Sequence, residues 1–216
     1  DEHMLAYIFQ NSCDNNSNQE QSEALRDYNF SSGDSFLNKL FFASFPILIL
    51  GFFFRHLISE NLRTLDIIAI STIFFGLLLW VADRTSSKNP SNESISFRHA
   101  FLIGLAQCLA LIPGTSRSAI TIICALFLSY SRVIASKFAF MLAVPTLSII
   151  FLSEIVSLNF SSLTTDWFDI VLVFVFSFLS SYLCIGLFLK LIERIGFTPF
   201  VIYRIILGGF LLFLAY

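Results

Sequence analysis

Charged residues are scarce in this sequence of 216 residues. Asp, Glu, Lys and Arg make up 13% of the chain, against roughly 25% of a typical soluble domain. The few cations form no basic patch, so the charge pattern gives no support for nucleic acid as a partner. No segment alternates apolar and polar residues for long enough to suggest a membrane β-barrel.

Cysteines are also few, and their positions do not suggest a metal site. Of the four, Cys108, Cys124 and Cys184 lie inside apolar runs without the spacing of metal ligands. We therefore interpret these three as small buried hydrophobic residues. The N-terminus lacks the basic start and apolar middle of a signal peptide.

What the sequence has in abundance is apolar side chains. Hydrophobic residues make up 56% of the chain, and phenylalanine alone occurs 27 times. A soluble protein of this length cannot bury so much apolar surface in one core, whereas a bilayer solvates it readily. The composition therefore predicts an all-α, polytopic integral membrane protein.

The chain divides into a polar segment and a membrane domain. Residues 1–39 are polar and of low complexity, and we predict a disordered tail or loop there. Residues 40–216 are predicted to be the transmembrane domain, with apolar runs close to the roughly 20 residues that a span needs. The five ordinary spans predicted on this basis are Phe36–Phe54, Leu65–Ala82, Lys137–Val156, Asp169–Leu191 and Thr198–Tyr216.

One apolar run is different, because it is too long for a single span and too short for two. It covers residues 97–130 and is interrupted by Pro113 and Gly114. Two half-helices that meet at a turn would form a re-entrant helix-loop-helix hairpin, with irregular backbone of the kind tolerated where it lines a cavity. The alternative is a single kinked and tilted span.

The distribution of cations indicates an orientation for the later spans. The loop of residues 157–168 contains no Lys or Arg, so we expect it to face the outside. The spans before and after this loop would then have their other ends in the cytoplasm. These ends carry Arg132 and Lys137 before the loop, and Lys190 and Arg194 after it.

Arg117 lies in the middle of the interrupted run, whereas the other cations lie in the tail, in loops or near span ends. A guanidinium at membrane depth costs several kcal/mol unless it meets a partner, a cavity or water. Thr115, Ser116, Ser118 and Thr121 surround it with hydroxyl groups, and Gly114 lets the backbone approach a ligand closely. These groups, with the N-terminus of a half-helix, predict an anion site suited to phosphate. The alternative is that Arg117 only pairs with carbonyl groups of a neighbouring span.

The same residues carry a resemblance to a known family. The segment GLAQCLALIPGTSRSAIT, residues 104–121, resembles the second signature of the undecaprenyl-diphosphate phosphatases, the bacitracin-resistance proteins. The segments FAFMLAVP, residues 138–145, and PFVIYRIILG, residues 199–208, resemble the next helix and the last helix of that family. One departure is Ala119, where the family commonly has glycine.

The resemblance implies a fold and a function. The fold would be an inverted repeat in the bacterial inner membrane, in which each half contributes a re-entrant hairpin. The activity would be hydrolysis of undecaprenyl diphosphate to undecaprenyl phosphate, with a divalent cation, Mg²⁺ or Ca²⁺. Arg117, Ser116 and Ser118 would be catalytic, and Gly114, Thr121 and Gln107 would bind the substrate. Membrane lipid is the other expected partner, and a homodimer is left open.

The first signature of the family is not visible in this sequence. Glu23 and Asp27 have its acidic spacing, but no proline and no histidine follow in the expected places, so we interpret the match as chance. His56 and His99 lie at span ends, where anchoring at the membrane interface is the simpler interpretation. Since the sequence begins with Asp1 rather than Met, we expect a C-terminal part of such a phosphatase, without ligands for the cation.

Two other functions stay open on this evidence. A diverged or inactive relative would bind a lipid phosphate without cleaving it. A small transporter or flippase would also use a hairpin of half-helices, and it would move its substrate without hydrolysis.

Overall fold

The computed structural model describes residues 33–61, 64–86, 95–157 and 167–215, and this part of the chain is helical. The prediction of a disordered tail falls largely on residues 1–32, which lie outside the described residues. Residues 33–39, predicted as part of that tail, belong to the first helix. The α-helices are α1 (Gly33–Asn61), α2 (Leu65–Thr85), α3 (Phe97–Gln107), α4 (Arg117–Phe127), α5 (Arg132–Ser157), α6 (Trp167–Ile195) and α7 (Thr198–Ala215), and a 3₁₀ segment covers Cys108–Leu111.

The helices confirm the prediction of an all-α, polytopic membrane protein. Within the described ranges, α2, α5, α6 and α7 are long and apolar enough to cross a membrane. The remaining predicted span corresponds to α1, whose described apolar stretch, Phe36–Gly51, is shorter than a full span. Helix α5 begins at Arg132, five residues before the predicted Lys137.

Helices α2 and α7 pack together closely because glycines lie between them. A methyl group at Gly208 would overlap the side chain of Ile73, and one at Gly76 would lie 3.2 Å from Cβ of Arg204. These contacts run in opposite directions along the two helices, so the pair is antiparallel. Helix α1 approaches α3 in a similar way, because a methyl group at Gly104 would overlap the backbone of Ala43.

A buried carboxylate joins three helix ends, and we call this group the Asp83 clasp. Asp83, near the end of α2, accepts a hydrogen bond from Nε of Arg132 at 2.6 Å and one from the backbone N–H of Phe197 at 3.3 Å. Its side chain is only 7% exposed. The end of α2 and the start of α5 therefore lie side by side.

This contact decides between the two readings of residues 97–130. Because α2 ends where α5 begins, the segment between them must return to the face from which it started. Two short helices joined by a turn satisfy this requirement, whereas a single kinked span would place its ends on opposite faces. The segment is therefore a re-entrant hairpin, formed by α3, the 3₁₀ segment and α4.

Helix α6 presents its side chains almost entirely to the surroundings. Phe174, Phe176 and Phe178 are each more than 60% exposed. In water such a surface would be strongly unfavourable, but hydrocarbon solvates it. Helix α6 is thus an example of how the abundant phenylalanines are placed toward lipid.

Candidate anion-binding site

The hairpin consists of two helices of equal length that reach only part of the way into a bilayer. Helices α3 and α4 have 11 residues each, or about 16 Å at 1.5 Å per residue, against roughly 30 Å of hydrocarbon. Nδ1 of His99 and the hydroxyl group of Tyr130 lie 2.7 Å apart and join the open ends of the hairpin. His99 therefore closes the hairpin, a contact that the sequence did not predict.

The turn of the hairpin is held by two hydroxyl groups of α2. Ser71 donates a hydrogen bond to the carbonyl oxygen of Pro113, and Thr72 donates one to the carbonyl oxygen of Gly114 at 3.4 Å. Gly114 has a φ of 89°, and a side chain there would overlap Ser71 and the carbonyl oxygen of Ile68. The turn therefore requires glycine for its conformation and for its closeness to α2.

Ser116 caps the N-terminus of α4. Its hydroxyl oxygen accepts a hydrogen bond from the backbone N–H of Ala119 at 3.4 Å and lies 3.2 Å from Oγ of Ser118. The helix dipole and the first backbone N–H groups of α4 thus point toward the turn, where they favour a negative charge. The methyl group of Ala119 is buried in this helix and leaves the cap intact.

Arg117 is half-buried at the start of α4. Its Nη1 donates a hydrogen bond to Oγ1 of Thr146 in α5 at 3.2 Å, and Thr146 in turn donates to the carbonyl oxygen of Ala143 at 3.0 Å. In the described part of the chain this neutral hydroxyl is the only hydrogen-bond partner of the guanidinium. Pairing with a carbonyl group, the alternative considered from the sequence, is not what the structure has. Since a guanidinium carries five N–H donors, most of them remain available to an anion.

The substrate-binding residues predicted beside Arg117 have different surroundings. Thr121 is 1% exposed, and its hydroxyl group donates to the carbonyl oxygens of Arg117 and Ser118 at 3.1 and 2.9 Å. It therefore stabilises the first turn of α4. Gln107 and Thr115 are buried as well, and Nε2 of Gln107 and Oγ1 of Thr115 have no partner among the described residues.

The structure brings the predicted residues to one end of the hairpin and adds others that the sequence analysis missed. Ser71, Thr72 and Thr146 are hydroxyl residues inside apolar spans, and that pattern was the only available signal. Arg204, interpreted from the sequence as close to a span end, is half-buried within α7. Its Nη1 is buried without a partner in the described ranges.

A divalent cation does not fit the donors of this turn. Mg²⁺ and Ca²⁺ prefer carboxylate oxygens, but the turn provides neutral hydroxyl groups and a guanidinium. The described residues contain no cluster of three or more His, Cys, Asp and Glu side chains that could hold a metal ion. No step of a reaction is therefore assigned to a metal here.

The fold and the site define a class: a multi-pass membrane protein with a re-entrant hairpin whose turn brings together an arginine, hydroxyl groups and a helix N-terminus. Residues 4–210 match the family model described as bacitracin resistance protein BacA. The chain belongs to this family.

Curated relatives of the chain carry the name undecaprenyl-diphosphatase. The chain is 45% identical over 171 residues to the protein of Alteromonas mediterranea and 46% identical over 173 residues to that of Teredinibacter turnerae. A third relative, from Campylobacter curvus, is 42% identical over 173 residues. These matches cover 79% to 80% of this chain but only 64% to 65% of each relative. The chain thus spans just under two thirds of the length of these relatives.

Proposed function

We propose that this chain carries the phosphate-binding part of an undecaprenyl-diphosphate phosphatase of the bacterial inner membrane. The observation that carries the proposal is the half-buried guanidinium of Arg117, which has a neutral hydroxyl partner and no carboxylate partner among the described residues. Membership of the BacA family and the names of the curated relatives support the same substrate.

The reaction would be the attack of water on the terminal phosphorus of the lipid diphosphate. The bond from that phosphorus to the bridging oxygen breaks, which releases inorganic phosphate and leaves undecaprenyl phosphate. Negative charge grows on the bridging and outer oxygens during this step. Arg117, with the hydroxyl groups of Ser116 and Ser118 and the N-terminus of α4, would stabilise that charge.

The group that activates water is not assigned to a described residue. Asp83 is the buried carboxylate of the described part, and it is already paired with Arg132 at the opposite end of the hairpin. This observation favours a second candidate function for the chain, which is binding of a lipid phosphate without hydrolysis. The resemblance assigns the base to acidic and histidine residues of the family's first signature, which is not visible in this sequence.

The position of the turn suggests the face to which the site opens. Ser71, which holds the turn, lies about 9 Å from the first residue of α2 and about 21 Å from its last, at 1.5 Å per residue. The Asp83 clasp lies at the other end of α2, which the distribution of Lys and Arg assigns to the cytoplasm. We infer that the site opens toward the outer face.

The test measures phosphate release and lipid binding separately. The chain is reconstituted in vesicles with undecaprenyl diphosphate, with and without Mg²⁺ or Ca²⁺, and compared with Arg117→Ala and Arg117→Lys. Release of phosphate that depends on Arg117 supports a phosphatase, and Arg117-dependent binding without release supports the binding protein. Transport of the lipid, with neither phosphate release nor lipid binding depending on Arg117, would contradict both the phosphatase and the binding protein.

A further inference from the structure

An apolar groove of about 630 Å³ lies between α2 and the 3₁₀ segment that leads into the hairpin turn. One wall is formed by Ile70 and Phe74 of α2, and the other by Leu109 and Ile112. Its volume falls within the range of roughly 300 to 1,000 Å³ that is usual for small-molecule sites. The groove is therefore large enough to hold part of an extended hydrocarbon chain.

The groove is lined by residues that adjoin the hairpin turn. Ser71 lines the groove with its apolar atoms, and its hydroxyl group donates to the carbonyl oxygen of Pro113. Ile112, on the opposite wall, directly precedes Pro113 in the chain. A molecule with a phosphate head and an apolar tail could thus occupy the turn and the groove together.

The groove is elongated and open along one side. Its lining residues on α2 extend from Ile67 to Leu78, about 16 Å along the helix axis. Phe75 is only 5% exposed and forms the floor, whereas Ile70 and Phe74 are 59% and 57% exposed and form the rim. A tail can therefore enter sideways from the membrane without threading through a closed channel.

The opposite side of α2 holds the groove in place. Ile73 and Gly76 pack against Gly208 and Arg204 of α7, so this face of α2 is not free to turn toward the groove. Since Ser71 and Thr72 also bond the turn to α2, the same helix positions both the groove and the anion site. Such a fixed arrangement favours a ligand that has a head and a tail at one defined distance.

We propose that this groove binds the isoprenoid tail of the lipid diphosphate whose head group lies at Arg117. The inference rests on the proposed function for the nature of the head group. The inference adds the groove as the part of the protein that recognises the tail. Contact with the tail would distinguish a long polyprenyl diphosphate from a short one. The first isoprene units lie near Ser71 and Ile112, and later units extend past Phe74 toward Leu78.

Photoaffinity labelling tests the position and direction of the tail without requiring hydrolysis. Two undecaprenyl diphosphate analogues are used, with a diazirine either in the isoprene unit next to the phosphates or several units further along. The first is expected to label residues near Ser71 and Ile112, and the second residues near Phe74 and Leu78. Unlabelled undecaprenyl diphosphate should compete with both analogues, and phosphatidylcholine should not.

Two results would overturn the assignment. If a diazirine-bearing phosphatidylcholine labels the same residues equally well, the groove is a general contact with membrane lipid. If neither analogue labels the groove while the head group still binds, another protein segment or a second copy of the chain covers it.

Substitutions that fill the groove test its role in chain-length recognition. Ile70→Trp and Leu109→Trp are expected to weaken binding of undecaprenyl diphosphate by about tenfold, equivalent to about 1.4 kcal/mol. Binding of dimethylallyl diphosphate, which has the same head and a minimal tail, should change less than about twofold, since the phosphate contacts remain. Leu77→Trp is the matched control, because Leu77 is 46% exposed on the same helix but does not line the groove.

The outcomes separate this inference from the proposed function. Equal weakening for both lipids, or an equal effect of Leu77→Trp, would contradict the tail assignment while leaving hydrolysis untouched. Absence of phosphate release with normal labelling would contradict the phosphatase and leave the groove as a polyprenyl-binding site.

Discussion

The two ends of the hairpin each have an arginine, and the two arginines have opposite surroundings. Arg132, at the open end, contacts the carboxylate of Asp83 at 2.6 Å. Arg117, at the turn, contacts the neutral hydroxyl group of Thr146 at 3.2 Å. An arginine that is paired with a carboxylate stabilises the folded protein without a ligand. A half-buried arginine without an acidic partner among the described residues favours an anionic ligand.

Other buried polar groups near the two ends include both partnered and unpartnered atoms. At the open end, His99 contacts Tyr130, and Asp83 accepts hydrogen bonds from two different segments. Close to the turn, Gln107 and Thr115 each bury a polar atom without a partner in the described part of the chain. Ser136 of α5, one turn after Arg132, also buries a hydroxyl oxygen without a partner in the described part. Because such atoms cost free energy at either end, the contrast between the two ends rests on the charge pairing of their arginines.

The largest effect is expected from Arg117→Ala. Loss of the guanidinium should reduce phosphate release, or lipid diphosphate affinity if the chain only binds, by about 100- to 1,000-fold. Thermal stability in detergent should change little, since only one neutral hydrogen bond is lost. Arg117→Lys should recover part of the effect, and an unchanged affinity in both variants would show that Arg117 is structural.

Gly114→Ala should disrupt the turn itself. The positive φ and the overlap with Ser71 and Ile68 together should cost about 2 kcal/mol or more of unfolding free energy. Gly186→Ala is the control, because no atom lies within 4 Å of a methyl group at that position of α6. Denaturation in mixed micelles compares the two, and equal stability would mean that the turn tolerates a side chain.

Arg132→Ala should act on stability and leave ligand binding intact. It leaves the buried carboxylate of Asp83 without its ion pair, which should cost about 1 to 3 kcal/mol. Affinity for the lipid diphosphate should stay within about twofold if the two ends are independent, as distant sites usually are. Lys137→Ala, one helical turn further along α5, should change neither quantity, and a loss of affinity in Arg132→Ala would connect the two ends.

The smallest effect is expected from Tyr130→Phe. This change removes the hydroxyl group that contacts His99 and should cost about 1 kcal/mol of unfolding free energy. Tyr182→Phe is the comparison, since Tyr182 is 72% exposed on α6 and should be neutral. Faster hydrogen exchange at residues 97–100 in the Tyr130 variant would show that the open end of the hairpin has loosened.

Much of the architecture was predictable because a bilayer imposes simple rules on a sequence. Spans need long apolar runs, so the approximate positions of α2, α5, α6 and α7 follow from the distribution of apolar residues along the sequence. Arg117 was predictable for the same reason, since a cation inside an apolar run requires an explanation. The ligand that we propose was suggested by the PGTSRS segment, residues 113–118, through its resemblance to a family.

Tertiary structure decided the features that depend on contacts between distant residues. The sequence allowed either a hairpin or a single kinked span at residues 97–130. The contact between Asp83 and Arg132, which are 49 residues apart, decided for the hairpin. Ser71, Thr72 and Thr146 are ordinary hydroxyl residues in apolar helices until packing places them against the turn and against Arg117. By itself, the sequence determined that this is a membrane protein with an arginine inside an interrupted apolar run. Only the packing of the helices determined that Arg117 contacts the neutral hydroxyl group of Thr146 rather than a carboxylate among the described residues, because a side chain's partner is set by three-dimensional position.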